Sequence, residues 1–106
     1  MIRFQLYFEV AEQKRAAFER AYEDVFAPAL RKQVGFQGSK LLRLYGTAES
    51  SAIAAAPTEF NYQVNFEFDS ESNRRRWSVS SDHDAAWPSF SSIAQKAAWR
   101  GYEVIG

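Results

Sequence analysis

Apolar and polar residues alternate along four segments of the chain, and a period of two residues predicts β-strands. The clearest pattern lies in residues 60–68, FNYQVNFEF, and residues 2–9, IRFQLYFE, show it again. Residues 36–45 alternate less regularly, and residues 98–105 return to the alternation near the end of the chain. The two clearest strands each have one apolar and one polar face, so each is expected to lie in a sheet that is buried on one side.

Between the first two strands the apolar period changes to three and four residues, which predicts an amphipathic helix over residues 11–33. Its apolar stripe includes Phe18, Tyr22, Val25 and Ala29. Pro28 is expected to kink this helix or to begin a second segment, because proline cannot donate the helical hydrogen bond. Gly35 is a natural helix stop.

Two more helices are predicted after the strand at residues 60–68. Ser70 is a capping residue type and opens a helix that carries Trp77, while Ser81 can cap a second helix. Pro88 is expected to break that second helix early or to restart it, because proline suits a first helical turn.

The order strand, helix, strand, strand, helices, strand predicts a ferredoxin-like α+β sandwich, in which a four-stranded antiparallel sheet carries helices on one face. Residues 46–57, GTAESSAIAAAP, are small and bounded by breakers, so we interpret them as a loop between two antiparallel strands. With 106 residues, the chain is expected to form a single domain over residues 1–106.

The helices of one subunit can cover only one face of such a sheet. The apolar side chains expected to meet them are Phe4, Leu6, Phe8, Phe66 and Phe68. The other face carries a mixed set, Gln5, Tyr7, Gln63 and Asn65. Three large side chains near the strands, Tyr45, Trp99 and Tyr102, favour burial of this second face, which predicts a homodimer through the sheet faces.

Composition excludes several classes of partner. Thirteen basic and thirteen acidic residues cancel, so there is no broad positive field for nucleic acid or anionic lipid. The chain has no cysteine and a single histidine, His83, which excludes thiolate sites and sites that need two imidazoles from one chain. No apolar run reaches the roughly 20 residues that span a bilayer, and the first residues lack the features of a signal peptide. We expect a cytoplasmic protein that binds neither nucleic acid nor membranes and holds no metal.

Three stretches of the chain resemble the antibiotic-biosynthesis-monooxygenase family. Residues 34–42, VGFQGSKLL, are similar to the family's helix exit and second strand, with Val34 where the family usually has proline. Residues 66–77, FEFDSESNRRRW, and residues 80–87, SSDHDAAW, are similar to a strand that ends in an aromatic residue and an Asp-Ser pair, followed by Trp and then Ser-x-x-His. The resemblance implies ferredoxin-like subunits that pair sheet to sheet into a dimeric α+β barrel.

The resemblance bears on two kinds of chemistry. In haem-degrading members a tryptophan at the place of Trp77 distorts the haem. Those members also have an iron-ligating histidine where this chain has Trp87, and they need an asparagine on the first strand, where this chain has Tyr7 and Phe8. Haem degradation is therefore not expected, and packing between helix and sheet is the favoured role of Trp77. In quinone-forming members, which use no cofactor, a tryptophan stands where this chain has Phe68.

Those quinone-forming members also use an asparagine beside that tryptophan. Asn65 lies nearby, but strand alternation places it on the opposite face from Phe68, so the apolar face offers no group that would stabilise a substrate anion. We interpret His83 as an exposed residue in the first turn of a helix. The arginines at positions 74–76, with Glu71 nearby, are interpreted as a solvated helix face.

The sequence thus predicts a small monooxygenase that uses no cofactor and oxidises an aromatic or phenolic molecule bound between helices and sheet. The expected pocket residues are Phe4, Phe8, Phe66, Phe68, Trp77, His83 and Trp87. The alternative is a non-catalytic small-ligand-binding or assembly module with the same dimeric barrel fold. An open cavity between helices and sheet would favour the first hypothesis, and a space filled by its own aromatic side chains would favour the second.

Overall fold

Four antiparallel strands form one sheet, in the spatial order β2-β3-β1-β4. The computed structural model describes residues 1–106. The strands are β1 (Ile2–Glu9), β2 (Phe36–Arg43), β3 (Tyr62–Phe68) and β4 (Lys96–Glu103). The α-helices are α1 (Arg15–Ala21), α2 (Ala27–Arg31), α3 (Thr47–Ala52), α4 (Glu71–Ser78) and α5 (Ser81–Ser91). The predicted ferredoxin-like α+β fold is confirmed.

The first crossover is one long helical segment that changes its winding three times. A 3-10 turn (Glu12–Lys14) precedes α1, and a π turn (Tyr22–Phe26) joins α1 to α2. Pro28 lies in the first turn of α2, directly after the π turn. The prediction that Pro28 begins a second segment is confirmed, and the wide π turn is the local adjustment that accommodates it.

Three local predictions are wrong. Residues 46–57 are not only a loop, because α3 forms within them. Alanine, serine and glutamate in this segment are compatible with a helix, although the segment has no apolar stripe that would predict one. The cap of α5 is Ser80 rather than Ser81, since the Ser80 hydroxyl accepts a hydrogen bond from the backbone N–H of His83. Pro88 neither breaks nor restarts α5 but lies inside it.

The carbonyl that loses its helical partner to Pro88 belongs to Asp84, which is exposed, so water can replace the lost bond. The remaining strand predictions hold with end shifts of about two residues, which is the usual uncertainty of element boundaries.

The core lies between the helices and one face of the sheet, and it is mostly aromatic. Phe8, Phe18, Phe26, Phe68 and Phe90 are its largest fully buried side chains. The alternation of β3 is complete, with Tyr62, Val64, Phe66 and Phe68 all buried. The predicted assignment of the apolar face to the helices is therefore confirmed.

The opposite face of the sheet is uncovered in the single chain. Tyr7 and Gln5 lie on it and share a hydrogen bond of 2.6 Å, and Arg100 lies 5.8 Å from the Tyr7 ring. Tyr102 contributes a further phenol to this group, and hydrogen bonds from Arg100 and Tyr7 lower the pKa of that phenol. Trp99 was expected here but lies on the helix side, because its register partner on β1 is the buried Leu6.

A polar cluster ties α1 to two strands. Tyr62 and Arg43 both donate hydrogen bonds to the carboxylate of Glu19. These bonds, that of Tyr62 first, lower the pKa of Glu19 from its ordinary value of 4.5. Burial and the same carboxylate raise the pKa of the Tyr62 phenol, so the pair holds a neutral donor against an ionised acceptor. The cluster fixes α1 over β2 and β3.

Candidate functional site

A cavity of about 220 Å³ lies between the sheet and helices α4 and α5. Strands β1, β3 and β4, the π turn and both helices supply its walls. The lining residues are Phe4, Leu6, Phe26, Phe66, Arg74, Trp77, Ser78, His83, Trp87 and Trp99. Seven of the ten are apolar or aromatic, which is the usual character of a small-molecule site. An engineered apolar cavity of about 150 Å³ binds benzene, so this volume suits one or two fused rings.

Two serine hydroxyl groups position the helices above the cavity: Ser70 caps α4, and Ser80 links the end of α4 to the start of α5. Ser70 caps α4 by accepting a hydrogen bond from the N–H of Asn73, which sets the start of that helix and the position of Trp77 one helix length later. The Ser80 hydroxyl donates to the Trp77 carbonyl oxygen at 2.7 Å and accepts from the His83 N–H at 3.1 Å. Trp77 and His83 are therefore held side by side by the turn between α4 and α5.

Four aromatic rings follow one another around the site. The His83 ring meets Trp77 edge to face, with centroids 5.0 Å apart, and stacks near-parallel to Trp87 at 6.2 Å. Trp87 in turn meets Trp99 edge to face at 6.0 Å. Trp99 has 57% of its surface exposed, so it lies at the rim of the cavity. Walls made of aromatic rings favour a flat ligand.

His83 is the polar group set deepest among these rings. Its side chain is only 26% exposed, and the prediction of an exposed residue is wrong because Trp77 and Trp87 cover the imidazole. Nδ1 is buried without a hydrogen-bond partner, and the nearest carboxylate oxygen, on the exposed Asp84, is 3.8 Å away. An unpaired buried nitrogen costs free energy, and the imidazole that carries it is one of the residues that line the cavity.

Arg74 brings a positive charge to the lining. Its side chain is 17% exposed, and its guanidinium carbon lies 4.6 Å from the centroid of the Phe4 ring. Hydrogen bonds to Glu71 hold the guanidinium in place and raise its pKa. The interpretation of residues 74–76 as a solvated face holds for Arg75 and Arg76, which are exposed, but is wrong for Arg74.

The structure brings five of the seven predicted pocket residues to one place. Phe4, Phe66, Trp77, His83 and Trp87 all line the cavity, although their contact with a ligand remains a prediction. Phe8 and Phe68 are fully buried in the core and do not reach the cavity wall. Trp77 also packs edge to face on Phe26, which agrees with the packing role expected for it.

Sequence analysis missed Leu6, Phe26, Arg74, Ser78 and Trp99 as lining residues. Leu6 was placed on the correct face but not at the site. A signal existed for Trp99: an alternating strand paired in register with β1 places it beside Leu6. No signal singled out Arg74 among three consecutive arginines, because the helix phase is needed to decide which of them points inward.

Two observations bear on other kinds of site. The structure contains no group of three or more His, Cys, Asp or Glu side chains that could hold a metal ion. None of its helices combines the length and the apolar character needed to traverse a bilayer.

Comparison with known proteins gives a fold but no sequence family. No family model and no curated protein matches the chain. Among solved structures, a mutant of SnoaB, a cofactor-independent oxygenase from Streptomyces nogalater, is similar with a TM-score of 0.73 and 16% identity, over 97% of this chain and 91% of that one. A candidate antibiotic biosynthesis monooxygenase from Nitrosomonas europaea is similar with a TM-score of 0.72 and 11% identity, over all of both chains.

A third structure is a dimeric ferredoxin-like protein of unknown function from Thermobifida fusca, with a TM-score of 0.70 and 16% identity over 97% of this chain and 90% of that one. The chain shares the fold of these proteins. The resemblance to the antibiotic-biosynthesis-monooxygenase family is thus confirmed as a likeness of structure, carried over the whole length of the chain. Fold alone does not assign a reaction, which has to be argued from the cavity.

Proposed function

We propose that the chain binds a flat aromatic molecule in the cavity beside Trp77 and Trp87 and oxidises it with dioxygen without a cofactor. The observation that supports this most directly is an open aromatic-walled cavity whose lining includes one imidazole, that of His83. The core aromatic side chains do not fill the space, which favours a ligand site over a purely structural module.

The chain's own residues suit such a reaction. A phenol seated between the rings would give its hydroxyl proton to the imidazole of His83, since imidazole is the commonest general base in enzymes. The phenolate passes one electron to dioxygen, and the resulting superoxide and phenoxyl radical combine at a ring carbon. Loss of water from that hydroperoxide gives a quinone. One phenol and one dioxygen therefore yield one quinone and one water, and no further reductant is needed.

The positive charge of Arg74 supports this scheme at the step where negative charge appears. It lines the same cavity as His83 and stays protonated, because its hydrogen bonds to Glu71 raise its pKa. Sequence analysis found no group on the apolar sheet face that could stabilise an anion. The helices, rather than the sheet, supply that group.

The test is to follow dioxygen uptake and quinone formation with 1-naphthol as the probe. The native chain is expected to consume dioxygen and form 1,4-naphthoquinone in equal amounts. His83→Gln is expected to lower the rate by about 100-fold, the lower range for loss of a general base. Ser89→Ala changes an exposed residue of the same helix and serves as the matched control.

Calorimetric titration with 1-naphthol separates the alternatives. Binding without dioxygen uptake would reject the oxygenase and leave the non-catalytic ligand-binding module. No binding at all would reject both. An unchanged rate in His83→Gln would show that the imidazole is not the base.

We propose further that a second copy of the chain covers the open sheet face, as in a dimeric barrel. The support is the uncovered face itself, with Leu42 46% and Tyr102 44% exposed, and the dimeric description of a protein with the same fold.

Light scattering is expected to give twice the chain mass of 12.1 kDa. Leu42→Glu should shift the mass toward one chain, because it places a charge in the paired face, whereas Ile53→Glu, on the exposed connection after α3, should not. A single-chain mass for the native protein would contradict the dimer.

A further inference from the structure

Arg74 is the only arginine, lysine or carboxylate side chain in the cavity lining. Any bound molecule therefore meets one fixed charge of known sign. Arg74 is also the most buried of the three consecutive arginines, because it is 17% exposed whereas Arg75 is 72% exposed and Arg76 is also exposed. Its guanidinium stacks over Phe4, which lines the same cavity.

The hydrogen bonds of Arg74 leave one side of its guanidinium free. Nε donates to one oxygen of Glu71 at 2.8 Å, and Nη2 donates to the other at 2.5 Å. This is one of the two bidentate edges that a guanidinium presents to carboxylates. The second edge, formed by Nη1 and the other N–H of Nη2, has no partner in the structure.

Glu71 does not line the cavity. It lines a neighbouring groove with Phe4, Gly101 and Tyr102. Because Arg74 itself lines the cavity, its unused edge is the one that remains for a bound molecule. Glu71 occupies one bidentate edge of the guanidinium and thereby fixes the orientation of the other edge. This reduces the conformational entropy that Arg74 loses when a ligand binds.

The local charge favours an anion even though Glu71 is paired with Arg74. Arg75 lies 3.6 Å from the same carboxylate, so two positive charges surround one negative charge. Asp84, whose carboxylate lies 3.8 Å from His83, has a side chain that is 75% exposed and therefore well screened by water. No carboxylate of the lining opposes an incoming negative group.

We propose that the natural ligand of this cavity is an aromatic carboxylate, with its ring between the tryptophans and Phe66 and its carboxylate on the free edge of Arg74. The inference rests on the proposed aromatic site and adds the acidic group that selects among aromatic molecules. A planar carboxylate matches the planar guanidinium in a way that a single phenolate oxygen cannot.

The test compares two probes that differ only in charge, 2-naphthoate and the neutral 2-naphthamide, by calorimetric titration at neutral pH. The native chain is expected to bind naphthoate at least about 10-fold more tightly, as for a charge-assisted bidentate pair. Arg74→Met keeps the apolar stem and should remove that difference by weakening naphthoate alone. Arg76→Met, an exposed residue of the same helix, is the matched control and should change neither affinity.

Arg74→Lys keeps the positive charge but removes the bidentate hydrogen-bonding edge of the guanidinium, so it separates the two contributions. It is expected to bind naphthoate with intermediate affinity, and its unaltered unfolding midpoint would show that the helix is intact. Equal affinities of the native chain for the two probes would overturn the carboxylate preference while leaving the aromatic site in place. Failure of both probes to bind would overturn the aromatic site and this inference with it.

Discussion

Phe90→Ala is expected to lower the free energy of unfolding by about 3–5 kcal/mol, the usual cost of truncating a buried phenylalanine. Phe90 is fully buried and stacks on Phe18 at 4.5 Å and on Phe26 at 4.8 Å. It also meets the Phe8 ring edge to face at 5.2 Å. One residue thus joins β1, α1, the π turn and α5, and the loss of its ring leaves a cavity that four elements would have to close.

Urea unfolding at a fixed protein concentration measures this effect, because association would otherwise make stability depend on concentration. Phe90→Leu keeps most of the volume and should lose only about 1 kcal/mol. Ile53→Ala truncates a side chain that is 64% exposed and should stay within about 0.5 kcal/mol of the native chain. A loss below 1 kcal/mol in Phe90→Ala would show that the aromatic cluster repacks freely.

Gly35→Ala is expected to cost about 2–3 kcal/mol, from two additive causes. Gly35 has φ of +82°, a conformation that costs other residues about 1–2 kcal/mol. An added Cβ would also clash with Oδ1 of Asp69 and would lie 2.9 Å from Cβ of Asn73. Relief of that clash would break the 2.8 Å hydrogen bond between these two side chains, worth about 1 kcal/mol.

The same unfolding experiment tests this prediction, with Gly46→Ala as its control. Gly46 has φ of −63°, and its nearest neighbours allow an ordinary methyl contact, so alanine should change stability there by less than about 0.5 kcal/mol. Because Asp69 and Asn73 form the start of α4, the Gly35 variant should also weaken naphthoate binding. Equal stabilities of the two variants would contradict the account of Gly35.

The fold could be predicted because β1 and β3 lie in the middle of the sheet with one buried and one open face. Burial forces strict alternation in such strands, and the alternation is visible in the sequence. β4 is an edge strand whose residues are mostly exposed, so the pattern constrains it less. This explains why Trp99 was assigned to the wrong face. The helix α3 is exposed along nearly its whole length, and a helix without a buried stripe has no periodic signal.

The site was predicted in its aromatic part and not in its polar part. The alternation of a strand shows which of its aromatic residues face the helices. Trp77 stands out because it is the largest side chain in its helix. The roles of His83 and Arg74 depend instead on what covers each side chain, which is decided by distant elements. His83 is covered by Trp77 and Trp87, and Arg74 is paired with Glu71 and stacked over Phe4.

The π turn at Tyr22–Phe26 makes the shape of the cavity depend on the length of the helix as well as on its composition. A π turn amounts to one extra residue relative to a regular α-helix, and each residue turns an α-helix by about 100°. With that residue in place, Phe26 lines the cavity while Leu30, one turn later, stays fully buried in the core. Deletion of a single residue here would restore regular winding and rotate one of these two side chains away from its place. Related chains that lack the extra residue should therefore have a differently shaped site on an otherwise identical sheet.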